Sequence, residues 1–540
     1  MDRARLVRLP PRWRLPFAFL VAIALLAAPR AGAASTITSS VRIDPVGEFT
    51  GDVFGCSVAW IGDVNGDGYD DLLIGAFRYP EIASNGRAYL HFGGPSLDKI
   101  ADLIIDAPPG NTAWFGISVA AAGDFNGDSY PDFIVGAQQS GFEGKAFVYY
   151  GGPSLDTVHD LTLKGESTGA PTAFGASVAS AGDINEDGFG DVIVGAPLYG
   201  NRPGRAYVYF GGAAPDSIPD RVFTGAGFND QLGSVVGSAG DLNGDGHPDV
   251  FASSIGNSVG AMGAGAIDVW FGGPGFDSMP DFTVHGSAPS ERLMYAANAG
   301  DINDDGFSDL IGAGRSKVHV WFGGSNPNAV PDLTLGRTFA TVACAGDMDG
   351  DGIDDFLVGS PYDFSVGGRV SALFGGSAVD TLADHSFLPT HPGGNFGLCV
   401  AGGGHVDGPG PPDVIVSANY DPESIGYNQG RVYVIGNSFA PTGIQPTPPL
   451  VGPRFVGPSP NPASNEVNLV LEMDRSVPVR VTVFDLAGHE VARPIADEWL
   501  VGTVIRAWRP HGLASGVYYL RADLGNYREV RKMVWLGDQR

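Results

Sequence analysis

The sequence predicts an all-β chain, a seven-bladed β-propeller followed by a small β-sandwich. Two observations carry this: an acidic nine-residue loop repeated six times, and short strand-like runs recurring around it in a fixed order. Helical periodicity is almost absent, and 81 Gly and 40 Pro suit a chain made of tight turns.

The loop reads Asp63-Val-Asn65-Gly-Asp67-Gly-Tyr69-Asp-Asp71 in its first copy, and further copies begin at Asp124, Asp183, Asp241, Asp301 and Asp347. Position three holds Asn65, Asn126, Asn185, Asn243, Asn303 and Asp349. Position five holds Asp67, Asp128, Asp187, Asp245, Asp305 and Asp351, and position nine holds Asp71, Asp132, Asp191, Asp249, Asp309 and Asp355. Oxygen-bearing side chains at one, three, five and nine are how a short segment wraps a hard cation such as Ca2+. Position seven (Tyr69, Tyr130, Phe189, His247, Phe307, Ile353) is free to add its backbone carbonyl. An EF-hand loop would sit between helices and carry a bidentate Glu at its twelfth position. Here that residue is Ile74, and the flanks read as strands.

The loops start 61, 59, 58, 60 and 46 residues apart, and a degenerate seventh (His405-Val-Asp407 to Asp413) follows after 58 more. A period of this size marks units that cannot bury their faces alone. Each unit opens on an F-G pair, as at Phe54-Gly55, Phe115-Gly116, Phe174-Gly175 and Phe396-Gly397. One short strand leads into the loop and a continuous apolar run leaves it (LLIGA, FIVGA, VIVGA, FLVGS). A third, alternating strand ends in Phe-Gly-Gly or Tyr-Gly-Gly, and a fourth follows a turn rich in Pro, Asp and Ser. Four short antiparallel strands repeated seven times make a propeller.

These residues resemble the FG-GAP repeats of the integrin α-chain head, over about residues 41–437. F-G, the acidic loop and GAP (complete as Gly195-Ala196-Pro197) come in the same order. The resemblance implies calcium, about six ions, in the loop joining strands one and two of most blades. Blade 5 departs from it, with Arg292-Leu293 in place of F-G, and blade 4 carries Leu232-Gly233 and Ser253-Ser254. Blade 7 has His405 and Pro409 at positions one and five and is assigned no metal. It also runs out of chain after its third strand (432–436), so Val41–Asp44 is expected to supply the fourth and close the ring.

The net charge of −28 is partly a metal requirement: the six loops hold 19 Asp at ligand positions, and six divalent ions would leave about −16. No basic stripe exists to hold nucleic acid. Residues 1–34 read as a signal peptide: five Arg from Arg3 to Arg14, an apolar run from Phe17 to Ala28, then Ala31-Gly-Ala33. That run is too short for a permanent anchor, so the mature protein is expected to be exported with no integral membrane segment. The three cysteines, Cys56, Cys344 and Cys399, read as small core residues.

The propeller is expected over 35–439 and a Pro-rich linker over 440–455. Residues 456–540 alternate as strands between Gly turns. They resemble the C-terminal sorting domains of the bacterial type IX secretion pathway, similar also to the Ig-like flagellar hook-capping domain. The matching residues are Pro460-Asn461-Pro462, Asp485-Leu-Ala-Gly488, Gly516-Val-Tyr518-Tyr519 and Lys532-Met-Val-Trp-Leu536. The resemblance implies a diderm bacterium, a secreted or surface-attached product, and the secretion machinery as a partner.

Catalytic signals are thin. Gly256-Asn-Ser258-Val-Gly260 fits G-x-S-x-G but lies in a glycine-rich hairpin rather than a strand-to-helix elbow, and the ten His are scattered. The expectation is therefore a non-enzymatic adhesion or ligand-binding module for an extracellular protein or polysaccharide. Its ligand face would lie opposite the metals, on loops carrying Phe77, Tyr79, Glu81, Tyr199, Asn201, Arg202, Tyr362, Asp363, Tyr420, Glu423 and Tyr427. The alternative is a secreted polysaccharide hydrolase or lyase built on a propeller.

Overall fold

A computed structural model describes residues 37–439 and 454–537, apart from 49–50, 81–83, 96, 111–112, 260, 338–339, 364–365, 378, 390–393, 421–428, 460–466, 487–488, 511 and 526. The expected signal peptide, residues 440–453 of the linker, Glu81, Glu423, Tyr427 and Pro460–Pro462 fall outside these residues. The chain separates into two compact units that meet between Ala440 and Pro441. No α-helix occurs among the described residues.

The first unit is a propeller of repeated four-stranded antiparallel sheets, seven among the described residues. Blade 1 runs Val58–Gly62, Asp71–Ala76, Arg87–His91 and Leu103–Asp106, each strand bonded to the next. Its second strand, DLLIGA, is buried at every position. A strand reads as a continuous apolar run only when both faces are covered, and here neighbouring blades cover both. A β-bulge ends the first strand at Gly62, just before the loop, and recurs at Gly123, Gly182, Gly240, Gly300 and Gly346. The extra residue turns each acidic loop out of its sheet.

First strands pack on one another in order around the axis, and Val400–Gly404 of blade 7 returns to Val58–Gly62 of blade 1. They enclose a central cavity of about 640 Å³ lined by residues of every blade. Hydroxyls stitch neighbours together there. Ser57, Ser118 and Ser177 Oγ accept the backbone N–H of Val119, Val178 and Val236 in the following blade, at 3.0–3.1 Å. Two cysteines serve the same seams. Cys399 Sγ donates to Cys56 O at 3.0 Å, and Cys56 Sγ donates to Gly116 O at 3.2 Å. All three thiols are free. Burial pushes Cys56 up to about 12 and Cys344 and Cys399 up to about 11, so they remain protonated.

The glycine of each Gly-Ala pair explains the repeat's spelling. A Cβ on Gly75, Gly136 or Gly195 would lie 2.0–2.2 Å from the carbonyl oxygen of the next blade's F-G glycine or its counterpart Gly233. The seam between blades 4 and 5 drops this contact on both sides at once. Ser253 replaces the glycine in blade 4, and in blade 5 Leu293 occupies the Phe position, bridged to Gly265, while Met294 N donates to Ala313 O as an F-G glycine does. The aligned pair is thus Leu293-Met294. Reading it as Arg292-Leu293 was one residue out of register, because a Phe-less, Gly-less pair leaves nothing in the sequence to anchor the alignment.

Ring closure uses a longer strand than the expected 41–44. Ile37–Ile43 pairs antiparallel with Arg431–Phe439, from Ile37 opposite Phe439 to Ile43 opposite Val434. The polar stretch Thr38–Ser40 hid the extension, since it lacks apolar alternation. Asp44 forms an ion pair with Arg431, and Ser39 Oγ donates to Asn437 Oδ1 at 2.7 Å.

In the second unit, Val467–Phe484 pairs with Arg454–Ser459 along its first half and Gly516–Leu524 along its second, while Glu490–Trp508 runs beside both. Tyr527–Trp535 completes five strands. A strand of 18 residues is long enough to link what was expected as two separate sheets into one hydrogen-bonded path. Phe455, Leu469, Val481, Leu520 and Trp535 form its core. Arg454 and Phe455, expected at the end of the linker, instead open the first strand because Phe455 is fully buried.

Two outcomes follow from the seams. Gly75→Ala should cost about 1–3 kcal/mol by overpacking, whereas Gly336→Ala, with nothing within 4 Å, should leave thermal stability unchanged or slightly raised. Deleting residues 37–46 should lower the melting temperature of the entire ring rather than of blade 7 alone, as read by hydrogen exchange across all blades.

Candidate metal centres

Each acidic loop hangs from its ninth residue. Asp71, Asp132, Asp191, Asp249, Asp309 and Asp355 are fully buried. One carboxylate oxygen accepts the N–H of the loop's second residue, at 2.8–2.9 Å. The other accepts the first glycine N–H of the blade's own Phe-Gly-Gly or Tyr-Gly-Gly, at 2.8–3.0 Å. The second glycine donates across the seam to the preceding blade's loop, as Gly152 does to Val64 O at 2.7 Å. The aromatic-Gly-Gly turn therefore ties two consecutive loops together.

The first residue organises the rest. Asp63 Oδ1 accepts from Asp67 N at 2.8 Å and Oδ2 from Gly68 N at 2.7 Å, and the other five copies do the same. Asn65 Oδ1 accepts from Asp67 N and its amide donates to Asp67 Oδ2, at 2.8 and 3.0 Å. Asp63 Oδ1 and Oδ2 each take one such bond and keep a second lone pair, whereas Asp124, Asp241 and Asp347 Oδ1 accept a second N–H from the fourth-position glycine. In the sixth loop, ligand oxygens of Asp347, Asp349 and Asp355 lie within 4.8 Å of one another. That donor set, oxygen only and rich in carboxylate, fits a hard divalent cation.

Burial is the largest cause that pushes the ninth-position carboxyls up, to about 7 in the first five loops and about 8 at Asp355. Backbone N–H donors act in the opposite direction, and the neighbouring loop carboxylates add to the rise. A cation beside these carboxylates would favour the charged form.

The seventh position has a packing role. A Cβ on the fourth-position glycines Gly66, Gly127 and Gly244 would come within 2.2–2.6 Å of the rings of Tyr130, Phe189 and Phe307, each from the next blade's loop. The seventh-position side chains thus pack across the seam. Blade 7 is built differently: Asp407 at position three pairs with Arg42 of the N-terminal strand at 2.5 Å, so a guanidinium faces this loop's acid.

The opposite face differs from the expectation at several residues. Phe77 packs on Trp114 with ring centroids 5.0 Å apart, and Tyr79 and Tyr199 lie under the guanidinium groups of Arg87 and Arg205 at 3.7 and 3.8 Å. These three aromatics brace neighbouring loops. Asp363 pairs with Arg369 at 3.2 Å, while Tyr362 and Tyr420 remain about 40% exposed. Asn201 and Arg202 lie at the short turn of blade 3, where Arg202 adopts a left-handed φ of 75°. Phe142, Phe228 and Met262, which carry no sequence motif, are 65, 84 and 77% exposed on the loops of blades 2 to 4. Isolated apolar residues among glycines carry no sequence signal that separates packing from display. Ser258 of the G-x-S-x-G match donates to Gly256 O and accepts from Gly263 N, inside a hairpin turn.

A ring of such blades, six of them carrying the acidic loop, defines a class. Residues 54–91, 115–151 and 174–209 match the FG-GAP repeat, and 301–358 match an FG-GAP-like repeat. Residues 459–535 match the secretion system C-terminal sorting domain. The chain therefore carries FG-GAP repeats followed by a sorting domain, and it is similar to integrin α chains. It is 34% identical to integrin alpha-5 of Xenopus laevis, over 37% of this chain and 20% of that protein. Integrin alpha-7 of Rattus norvegicus is 36% identical, over 28% of this chain and 14% of the relative. Integrin alpha-V of Gallus gallus is 29% identical over 38 and 20%. The matches thus span a fifth or less of these relatives.

Metal removal and pH provide the tests. EDTA should lower the melting temperature, Ca2+ should restore it better than Mg2+, and Asp187→Ala should remove one ion from a count near six on the purified protein. A carboxyl raised in the folded state binds its proton more tightly there than in the unfolded chain. Metal-free stability should therefore fall as pH rises from about 4 to about 7. Calcium competes with that proton, so its affinity should rise over the same interval.

Proposed function

We propose that residues 35–439 form a non-catalytic, calcium-stabilised adhesion or ligand-binding module, exported behind a signal peptide at 1–34. On this reading 440–455 is chiefly a linker, and the Ig-like unit of 456–540 engages the secretion machinery that delivers the ring to the surface or the medium of a diderm bacterium. The six cation loops would hold Ca2+ through Asp63, Asp124, Asp183, Asp241, Asp301, Asp347 and their partners at positions three, five, seven and nine. The match to a secretion sorting domain supports an exported protein. No helix among the described residues is long and apolar enough to cross a membrane.

One observation carries the binding reading: the two faces are built under different rules. The cation loops are near-identical and bonded to one another around the ring. The loops opposite vary in length and content, and those of blades 2 to 4 display Phe142, Phe228, Val259 and Met262 at 59–84% exposure. Variable loops on a rigid scaffold are where recognition residues concentrate. The ligand would be an extracellular protein or polysaccharide meeting this apolar arc.

The test is a binding screen of residues 35–439 against extracellular polysaccharides and proteins, with product release followed in parallel. Calcium-dependent binding should weaken by about tenfold or more in Phe228→Ser/Met262→Ser, with the melting temperature unchanged. Release of cleaved product would move the protein to the hydrolase or lyase reading. Truncation at residue 440 should leave a folded ring that no longer reaches the surface of its own cell.

A further inference from the structure

Blade 5 leaves a notch in the face opposite the cation loops. Its second and third strands, Asp309–Ala313 and Lys317–Trp321, are joined by residues 314–316 alone, against 255–265 in blade 4 and 361–368 in blade 6. Beside that short turn lies a cavity of about 130 Å³, lined by Ile255, Arg292, Met294, Tyr295, Gly314 and Arg315. Ile255, Met294 and Tyr295 also line the central cavity, so the notch adjoins the axis of the ring.

Two arginines in one cavity stand out in a chain whose net charge is −28. Their backbones are held together. Arg292 takes the left-handed position before the F-G pair, where Val53, Trp114, Ala173, Gln231 and Asn395 sit in other blades, all at φ of 52–63°. Such a conformation costs a non-glycine residue free energy and persists where neighbours over-determine it. Here Arg292 N donates to Gly263 O at 3.2 Å and Leu293 N to Ala264 O at 2.8 Å. Arg315 N donates to Glu291 O at 2.7 Å, one residue before Arg292, and Gly314 N closes the turn on Lys317 O at 2.9 Å. The adjacent acid, Glu291, is buried and engaged elsewhere. One of its oxygens meets His319 Nε2 at 2.9 Å, and the other accepts Ser287 N, Ser287 Oγ and Ala288 N at 2.6–3.0 Å.

A guanidinium is a planar fork that matches a carboxylate with two parallel hydrogen bonds, so the walls of the notch specify an anion. The floor specifies what carries it. Ile255, Met294 and the Tyr295 ring are apolar, and burial pushes the Tyr295 hydroxyl up to about 12, which keeps it a donor. An Asp or Glu side chain would satisfy the arginines and leave that floor uncovered, whereas a pyranose ring bearing a carboxylate covers it with its C–H face. The volume holds about ten waters, room for a sugar ring and not for the bulk of a folded partner. We propose that the notch binds a hexuronate residue of an acidic polysaccharide, its carboxylate on Arg292 and Arg315 and its ring over Met294 and Tyr295. This rests on the reading that the face opposite the cation loops recognises a ligand, and it gives that ligand a charge and a sugar. The exposed apolar arc is the neighbour: Ser290 N donates to Met262 O at 2.9 Å, so sugars flanking the bound residue continue over the blade 4 loop.

The experiment is calorimetric titration of the full chain, in Ca2+, with trimers of galacturonate, mannuronate, neutral galactose and glutamate. At least one uronate trimer should bind, and the galactose trimer should bind about tenfold or more weakly. Arg292→Gln/Arg315→Gln should weaken uronate binding about tenfold or more with the melting temperature unchanged. Lys99→Gln/Lys164→Gln, which removes two exposed charges elsewhere on the ring, should leave it as it was. Equal binding of the galactose trimer, or of uronate by the Arg292→Gln/Arg315→Gln variant, overturns the proposal. Glutamate trimer bound as tightly as uronate overturns it in favour of an acidic protein ligand. Failure of both uronate trimers sinks the notch; if the wider screen still finds a ligand that Phe228→Ser/Met262→Ser weakens, the binding face stands without it.

Discussion

A buried carboxylate at the ninth loop position is the joint on which each blade depends. It takes one N–H from its own loop and one from the aromatic-Gly-Gly turn, holding the two excursions on one side of the blade in fixed relation. An ionised group in that setting is costly to desolvate unless hydrogen bonds and a counter-charge offset it. The backbone donors supply the first, and the three other acidic or amide side chains of the loop create the demand for the second. Blade 7 meets the same demand by another route, with Arg42 reaching Asp407 from the strand that closes the ring.

Seams, rather than blade interiors, explain most of the repeat's spelling. The F-G glycine carbonyl presses on the Gly-Ala glycine of the preceding blade, the fourth-position glycine lies under the next loop's aromatic, and channel serines accept N–H groups from the following blade. A blade has no core of its own to speak of: each hydrophobic cluster in the ring draws residues from two neighbours, as Ile61, Leu73 and Leu90 of blade 1 join Phe115, Phe133 and Phe147 of blade 2. Units built this way gain stability only in the company of their neighbours.

Much of this was legible in the sequence because the constraints repeat. Positions one, three, five and nine recur in six copies, so the loop geometry and strand order could be read without any single copy being decisive. Legibility failed where repetition failed. Leu293-Met294 has neither Phe nor Gly to mark its register, and Ser39 and Ser40 pair as strand without apolar alternation. On the opposite face, a Tyr beside an Arg reads equally as display or as stacking; the 3.7 Å approach of Arg87 to Tyr79 is a tertiary fact with no local signature.

The closing strand also sets a clock. Ser39 meets Asn437 across 398 residues of chain, so the first strand to be made is among the last to find its partner. The four strands of each of blades 1 to 6 are contiguous in sequence, yet the ring stays open until residue 439 is available. Contacts of such sequence separation are slow to form. The closed ring therefore exists only once both ends of this span of chain are free to meet.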